Sequence, residues 1–446
     1  MEQQHMFTNR MIRNLLVPVV LEQILNSIMG TADTMMVSNV GSAALSAVSL
    51  VDSINILLIQ AFSALAAGGA IVCAQYIGQK NYEKANMSAR QVLFIITAIS
   101  VAVSAVCLIF QKPLLRLIFG SVEADVMRAS ETYFFFTALS FPFIASYDAA
   151  ASIFRAQENT KGPMIISMIS NVMNIGGNAV LIWVFHMGVA GAAISTLVSR
   201  VFCAVVVLYQ LRKDRQPIVV KDYLKIRPDW SMIGRILGLG IPSGIENSMF
   251  QLGKLAIQST VSTLGTAAIA AQAMTNILEN LNGIAAIGVG VGLMTIVGQC
   301  LGAGRKDEAV YYIKKLCVIA EIVIIVSCLT VYALARPVTI LGGMEKSSAA
   351  MCIHMITWIT IVKPLVWTMA FVPGYGLRAA GDVKFSMITS CCTMWACRFC
   401  LCVFLIRVLG FGPMGVWIGM FADWTVRAII FTWRFHSRRW LKHKVI

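Results

Sequence analysis

Apolar residues run along this chain in long stretches separated by short polar turns, at about 12–36, 47–77, 91–111, 132–154, 163–185, 189–210, 232–261, 269–299, 316–335, 349–376, 385–408 and 413–433. A soluble helix shows one apolar stripe and a polar back. These stretches are apolar all round and reach the roughly 20 residues that a helix needs to cross the hydrocarbon of a bilayer. The pattern predicts an all-α integral membrane protein with about twelve transmembrane helices, leaving no soluble segment of domain size. The first stretch runs past signal-peptide length without a small-residue cleavage site, so its helix is expected to stay.

The chain also repeats itself. A shift of 224 residues carries Pro18 onto Pro242, Glu22 onto Glu246, Gly41-Ser42-Ala43-Ala44 onto Gly265-Thr266-Ala267-Ala268, Gln75 onto Gln299 and Gly78 onto Gly302. With a shift of 223, Phe154-Arg155-Ala156 meets Leu377-Arg378-Ala379 and Lys161 meets Lys384. The expected organisation is therefore an amino-terminal six-helix lobe, 1–212, a cytoplasmic linker, 213–230, with Pro217 and Pro228, and a carboxy-terminal six-helix lobe, 231–446. An even number of helices per half implies a pseudo-two-fold along the membrane normal, with a cleft between the halves, an organisation common in duplicated transporters.

Composition narrows this further. The 446 residues are 58% hydrophobic and 13% charged, with a mean hydropathy of +0.76, which excludes an ordinary soluble domain. The net charge of +15 suggests nucleic acid until its placement is considered. One set of connections and the chain end carry 24 Lys and Arg, among them Arg212, Lys213 and Arg215, while the opposite set has 6. By the positive-inside rule both termini are expected in the cytoplasm. Cys391, Cys392, Cys397, Cys400 and Cys402 lie in an apolar run and read as packing residues rather than a metal site. The histidines His5, His186, His354, His436 and His443 are scattered. No nucleophile motif or ligand spacing accompanies them, so no enzyme, metal or bound cofactor is expected.

Ionisable groups inside apolar spans are costly and mark functional candidates. In the first helix Pro18, Glu22, Asn26, Met29 and Asp33 lie four, four, three and four apart, one stripe on a helix. Pro18 permits a kink, and protonation of a carboxylate on a kinkable helix is a plausible switch. Asn171, Asn174 and Asn178 share a face of the fifth span and Thr196 follows in the sixth. In the second half Ile257 stands where Asp33 does, and the spans hold Glu246, Lys254, Glu279, Lys363 and Arg398, whose mixed signs suggest internal ion pairs. Asp423 and Arg427, four apart, read as a helix-surface pair.

These residues resemble the multidrug and toxic compound extrusion (MATE) family, in its prokaryotic branch related to DNA-damage-inducible protein F. Four stretches carry the likeness: Pro18 through Asp33-Thr34-Met35-Met36-Val37 to Gly41; Ala74-Gln75-Tyr76-Ile77-Gly78 and its twin Gly298-Gln299-Cys300-Leu301-Gly302; Phe154-Arg155-Ala156-Gln157 with Lys161 and Pro163; and Gly191-Ala192-Ala193-Ile194-Ser195-Thr196. The resemblance implies two six-helix lobes around a cleft and efflux of small organic, often cationic, compounds coupled to protons or sodium. Asp33 then looks like the family's coupling aspartate, with Asn174 and Thr196 at two further polar positions. Asn178 stands where many members have a second aspartate. Phe250 replaces an acid of the seventh span and the tenth span, 351–375, has none, which points away from sodium and toward protons. Pro18 and Pro242 are the expected hinges, and Glu22, Asn26, Met29 and Glu246 the expected cleft residues. A monomer in contact with membrane lipid, without nucleic acid, is expected. The runners-up are a flippase for lipid-linked sugars, which calls for a cationic cavity, and an intramembrane enzyme.

Overall fold

A computed structural model describes residues 4–446. Fifteen α-helices follow one another: α1 Asn9–Ser38, α2 Ser42–Gly78, α3 Tyr82–Ile109, α4 Gln111–Phe119, α5 Ala124–Leu139, α6 Phe141–Ala156, α7 Lys161–Asn178, α8 Val189–Leu211, α9 Trp230–Val261, α10 Thr266–Gly302, α11 Lys306–Leu341, α12 Lys346–Ala379, α13 Val383–Cys392, α14 Leu401–Arg407 and α15 Met414–His436. Ten helical stretches among the described residues are long and apolar enough to cross a membrane, and α5 with α6, bent by 41°, makes an eleventh. The remaining long helix is α9, 32 residues, whose Arg235, Glu246 and Lys254 lower its hydropathy. In apolar surroundings backbone groups must be satisfied within the segment, which is why such runs become helices.

Turn chemistry repeats with the halves. Gly41 (φ 142°) and Gly265 (φ 96°) precede α2 and α10 in a backbone conformation that side-chain-bearing residues avoid. Asp229 starts α9 by accepting from the Ser231 and Met232 amides at 3.1 and 3.3 Å.

The chain forms two compact units. The amino unit is Leu25–Gly244; the carboxy unit is Ile245–Val445 together with the chain up to Ile24. These bounds differ from the sequence halves 1–212 and 231–446, because the first turns of α1 and α9 pack with the other half of the sequence. In the carboxy unit a Cβ on Gly288 of α10 would lie 2.9 Å from the Val20 Cα of α1, and in the amino unit a Cβ on Gly68 of α2 would lie 2.7 Å from the Gly240 nitrogen of α9. Backbones this close require glycine on at least one side. Each exchanged segment ends a few residues beyond Glu22 or Pro242.

The segment 213–230 is strapped to the amino unit. Asn86 of α3 accepts the Val219 amide at 2.8 Å, Gln157 accepts the Ile218 amide at 3.0 Å, and Gln91 both donates to the Arg227 carbonyl at 2.8 Å and accepts from the Asp229 amide at 3.0 Å. Ile218 and Val220 are buried, so this stretch is an ordered strap rather than a loose tether.

Candidate functional site

In the amino unit the polar stripe of α1 meets the asparagines of α7. Asn26 Oδ1 accepts from Ser167 Oγ at 2.8 Å and from Asn171 Nδ2 at 3.0 Å. One turn and more further on, Asp33 Oδ1 accepts from Asn178 Nδ2 at 2.6 Å and Oδ2 from Asn174 Nδ2 at 3.4 Å. Ser195 of α8 fixes Asn174 by donating to its backbone carbonyl at 2.9 Å. A π-helical segment, Ala179–Val184, begins directly after Asn178; such wide turns are frequent at functional sites because they re-aim neighbouring side chains. Asn178 is buried and its Oδ1 has no partner. Thr196 is not drawn to Asp33: its hydroxyl donates to Ala192 O of its own helix at 3.1 Å. Met29 is half-buried on the same face as Asp33.

Three ionisable residues that the sequence reading passed over join this neighbourhood. Asp52 of α2 accepts from Tyr133 OH at 3.1 Å and Asn55 Nδ2 at 3.3 Å. Asp148 of α6 accepts from Ser63 Oγ at 2.8 Å. Arg200 of α8 donates to Ser140 Oγ at 2.7 Å, and Tyr133, Asp52, Asp148 and Asp33 stand within electrostatic reach of it. Each sits inside an apolar run, which was the available signal.

The carboxy unit holds a different set. Lys363 of α12, fully buried, pairs with Glu279 of α10 at 2.7 Å. Asp423 of α15 is shared by Arg398 at 2.7 Å and Arg427 at 3.1 Å. Asp423 and Arg427 are 0% and 3% exposed, so they are not the surface pair expected from their spacing; Arg398, from a π-helical segment Thr393–Cys400, closes over them. Lys254 of α9 is exposed and stacks on Phe250.

Glu246 is buried, held by Arg378 Nη2 at 2.9 Å and Ser386 Oγ at 3.3 Å, so its carboxylate is committed rather than free to meet a substrate. Glu22 is buried and also engaged. Pro18 lies within α1 and Pro242 within α9. The twelve cysteines are free thiols. Among the described residues no group of three or more His, Cys, Asp or Glu is placed to hold a metal ion.

The duplicated helices and the doubled proline positions have a counterpart in known proteins. The family profile described as MatE matches twice, over residues 18–180 and 242–404, together more than half of the chain. The chain belongs to the MatE family. Both matches open on a proline, Pro18 and Pro242, one repeat apart. Across 95% of this chain and 93% of its own length, the uncharacterized transporter YisQ of Bacillus subtilis is 26% identical. The probable multidrug resistance protein NorM of Thermotoga maritima is 24% identical over 97% of this chain and 93% of its own. Among solved structures, a MATE transporter in its straight conformation has a TM-score of 0.89 at 19% identity, covering 96% of this chain and 95% of that one; this likeness speaks to the fold alone. The protein is thus a multi-pass membrane protein of a transporter family, all-helical as its hydropathy predicts, and its relatives are transporters rather than enzymes.

Proposed function

We propose that this MATE protein exports small organic compounds, cationic ones among them, by alternating access driven by inward cation flow, with Asp33 as the coupling carboxylate and the proton as the coupling ion. The names of its relatives, probable multidrug resistance proteins among them, support multidrug export. The observation that carries the coupling assignment is the Asp33–Asn178–Asn174 cluster on α1 and α7. Its partners offer Asp33 amide N–H groups; a sodium ion would need several oxygens, whereas an amide serves either protonation state of a carboxyl. With the carboxylate ionised, Asn178 Nδ2 donates to it. With a proton loaded, the new O–H has an acceptor in Asn178 Oδ1, the buried atom without a partner, after the amide turns over. Loading therefore removes a charge while Asn178 keeps one hydrogen bond to the carboxyl in either state, and the preference of α1 for a straight or a bent shape near Pro18 changes with it. Both termini lie in the cytoplasm of a bacterial cell under this reading, since the basic connections face inward.

The test is dye or drug efflux in inverted vesicles. Collapsing the proton gradient with a protonophore is expected to stop efflux, removal of sodium to leave it intact, and Asp33→Asn to reduce it to the level of empty vesicles. Full gradient-driven efflux by Asp33→Asn would overturn the assignment, and loss on sodium removal alone would replace the ion.

A further inference from the structure

Three carboxylates and one guanidinium stand in the apolar spans of the amino unit: Asp33 on α1, Asp52 on α2, Asp148 on α6 and Arg200 on α8. With every acid ionised, three negative charges against one positive charge leave two unbalanced. Such charge inside a span is costly unless a partner or a proton removes it. A proton on Asp33, the coupling carboxyl of the reading above, removes one. The hydrogen bonds show which of the other two acids is open to a second.

Asp148 accepts from Ser63 Oγ on its Oδ2 and is engaged further. Asp52 is held on one side only. Its two bonds, from Tyr133 OH at 3.1 Å and from Asn55 Nδ2 at 3.3 Å, both fall on Oδ1, and among the described residues its Oδ2 accepts none. Arg200 stands within electrostatic reach of Asp52, but its hydrogen bond goes to Ser140. Asn55 is 3% exposed and its Oδ1 has no partner. Asp52 and Asn55 thus repeat within one helix what Asp33 and Asn178 do between two: a carboxyl beside a buried amide whose oxygen is unused. Such an amide donates to an ionised carboxylate through Nδ2 and accepts from a protonated one through Oδ1.

The titratable and charged groups within reach of Asp52 are Tyr133 of α5, Arg200 of α8 and Asp33 of α1. α6 brings Asp148 to the same guanidinium, and α3, which also packs along α2, adds no charge to the set. Two carboxyls within reach of each other and of one cation titrate as a coupled pair, the charge on one opposing the charge on the other.

We propose that Asp52 is a second proton-binding carboxyl, which takes its proton on Oδ2, passes from one negative charge to none, and makes the exchange two protons for each substrate. The assignment rests on proton-driven export and adds to Asp33 rather than replacing it.

Proton release on substrate binding tests this without transport. Purified full-length protein in weakly buffered detergent is mixed with ethidium, a monovalent organic cation, and the protons released per bound dye are read with a pH indicator at the pH of maximal release. The parent is expected to release about two protons, Asp52→Asn and Asp33→Asn about one each, and the double variant none, because release counts the groups whose protonation differs between free and bound protein. Asp33→Asn carries the test even where Asp52→Asn fails to fold. A proton still released by Asp33→Asn, and kept when Asp148→Asn is added, supports the second carboxyl; none released overturns it. A single proton or none from the parent, or undiminished release from Asp52→Asn, overturns it as well. Gradient-driven ethidium efflux is scored separately in proteoliposomes. Two-proton release by a protein without gradient-driven efflux would sink the export reading and leave Asp52 assigned; full proton-driven efflux with a single proton released would do the reverse.

Discussion

In the amino unit three carboxylates, Asp33, Asp52 and Asp148, stand within electrostatic reach of a single guanidinium, Arg200, and Asp33 and Asp52 accept hydrogen bonds from neutral amides and a phenol. The carboxy unit reverses the arrangement, with Asp423 held by two guanidinium groups and a second acid, Glu279, by an ammonium. Arg200 is on α8 and Asp423 on α15, equivalent helices of the repeat, where Gly191 falls on Gly415 and Ile194 on Ile418. Duplication has kept what packs the helices: the prolines of α1 and α9, and the tight glycine contacts at Gly68 with α9 and at its equivalent Gly292 with α1. The charge at the hub has not been kept. Under the proposed coupling the acidic unit is the one that takes up protons, whereas the guanidinium groups of the basic one stay charged at any working pH.

The sharpest way to break this contrast is to remove each hub. Asp423→Asn leaves Arg398 and Arg427 buried without a carboxylate, a defect expected to cost about 3–5 kcal/mol, read as a large fall in the melting temperature of the detergent-purified protein at every pH tested. Arg200→Gln is expected to cost less, about 1–3 kcal/mol near neutral pH, and to recover as the pH falls, since the stranded carboxylates can be neutralised by protonation. A pH-independent loss in Arg200→Gln equal to that of Asp423→Asn would remove the proposed difference between the units.

The hinge helices supply the next comparison. Pro18 shares its helix with Asp33, whereas the α9 helix of Pro242 carries Ile257 at the corresponding place. Pro18→Ala restores the interrupted hydrogen-bond ladder and is expected to slow gradient-driven efflux about tenfold, equivalent to ~1.4 kcal/mol on the barrier. Pro242→Ala should slow it less than about threefold. Equal slowing in initial-rate measurements would mean that bending serves both units alike and is not tied to the carboxylate.

How much of this was legible in the chain depends on where each partner lies. Asp33, Asn26 and the asparagines of α7 were found because their spacing of three or four residues places them on one face within a single helix. Asp52, Asp148 and Arg200 each stand alone on a separate helix, and only the packing of α2, α5, α6 and α8 unites them. Glu246 was expected both among the internal ion pairs of the second half and at the cleft; its partner Arg378 lies 132 residues away, beyond any local pattern. The exchange of the first turns of α1 and α9 was equally hidden, since an internal alignment tells which residues correspond and not which ones touch.

Glu246 gives a smaller effect that turns on this correction. Glu246→Gln is expected to destabilise the protein by about 1–2 kcal/mol through the weakened contact with Arg378, and to lower efflux of cationic and neutral substrates in parallel. A selective loss of cationic substrates, measured with a matched pair of dyes, would return Glu246 to a charge-reading role.

The smallest expected change is at Thr196, where family likeness and geometry part. Its hydroxyl donates to Ala192 O within α8, a bond that a helix does without at little cost, and Asp33 already has its two donors from α7. Thr196→Val is therefore expected to leave gradient-driven efflux within about twofold of the parent and stability within about 0.5 kcal/mol. A coupling defect as deep as that of Asp33→Asn would mean that the hydroxyl turns to the carboxyl in another state of the transport cycle, and that the amino-unit site is larger than the Asp33–Asn174–Asn178 cluster.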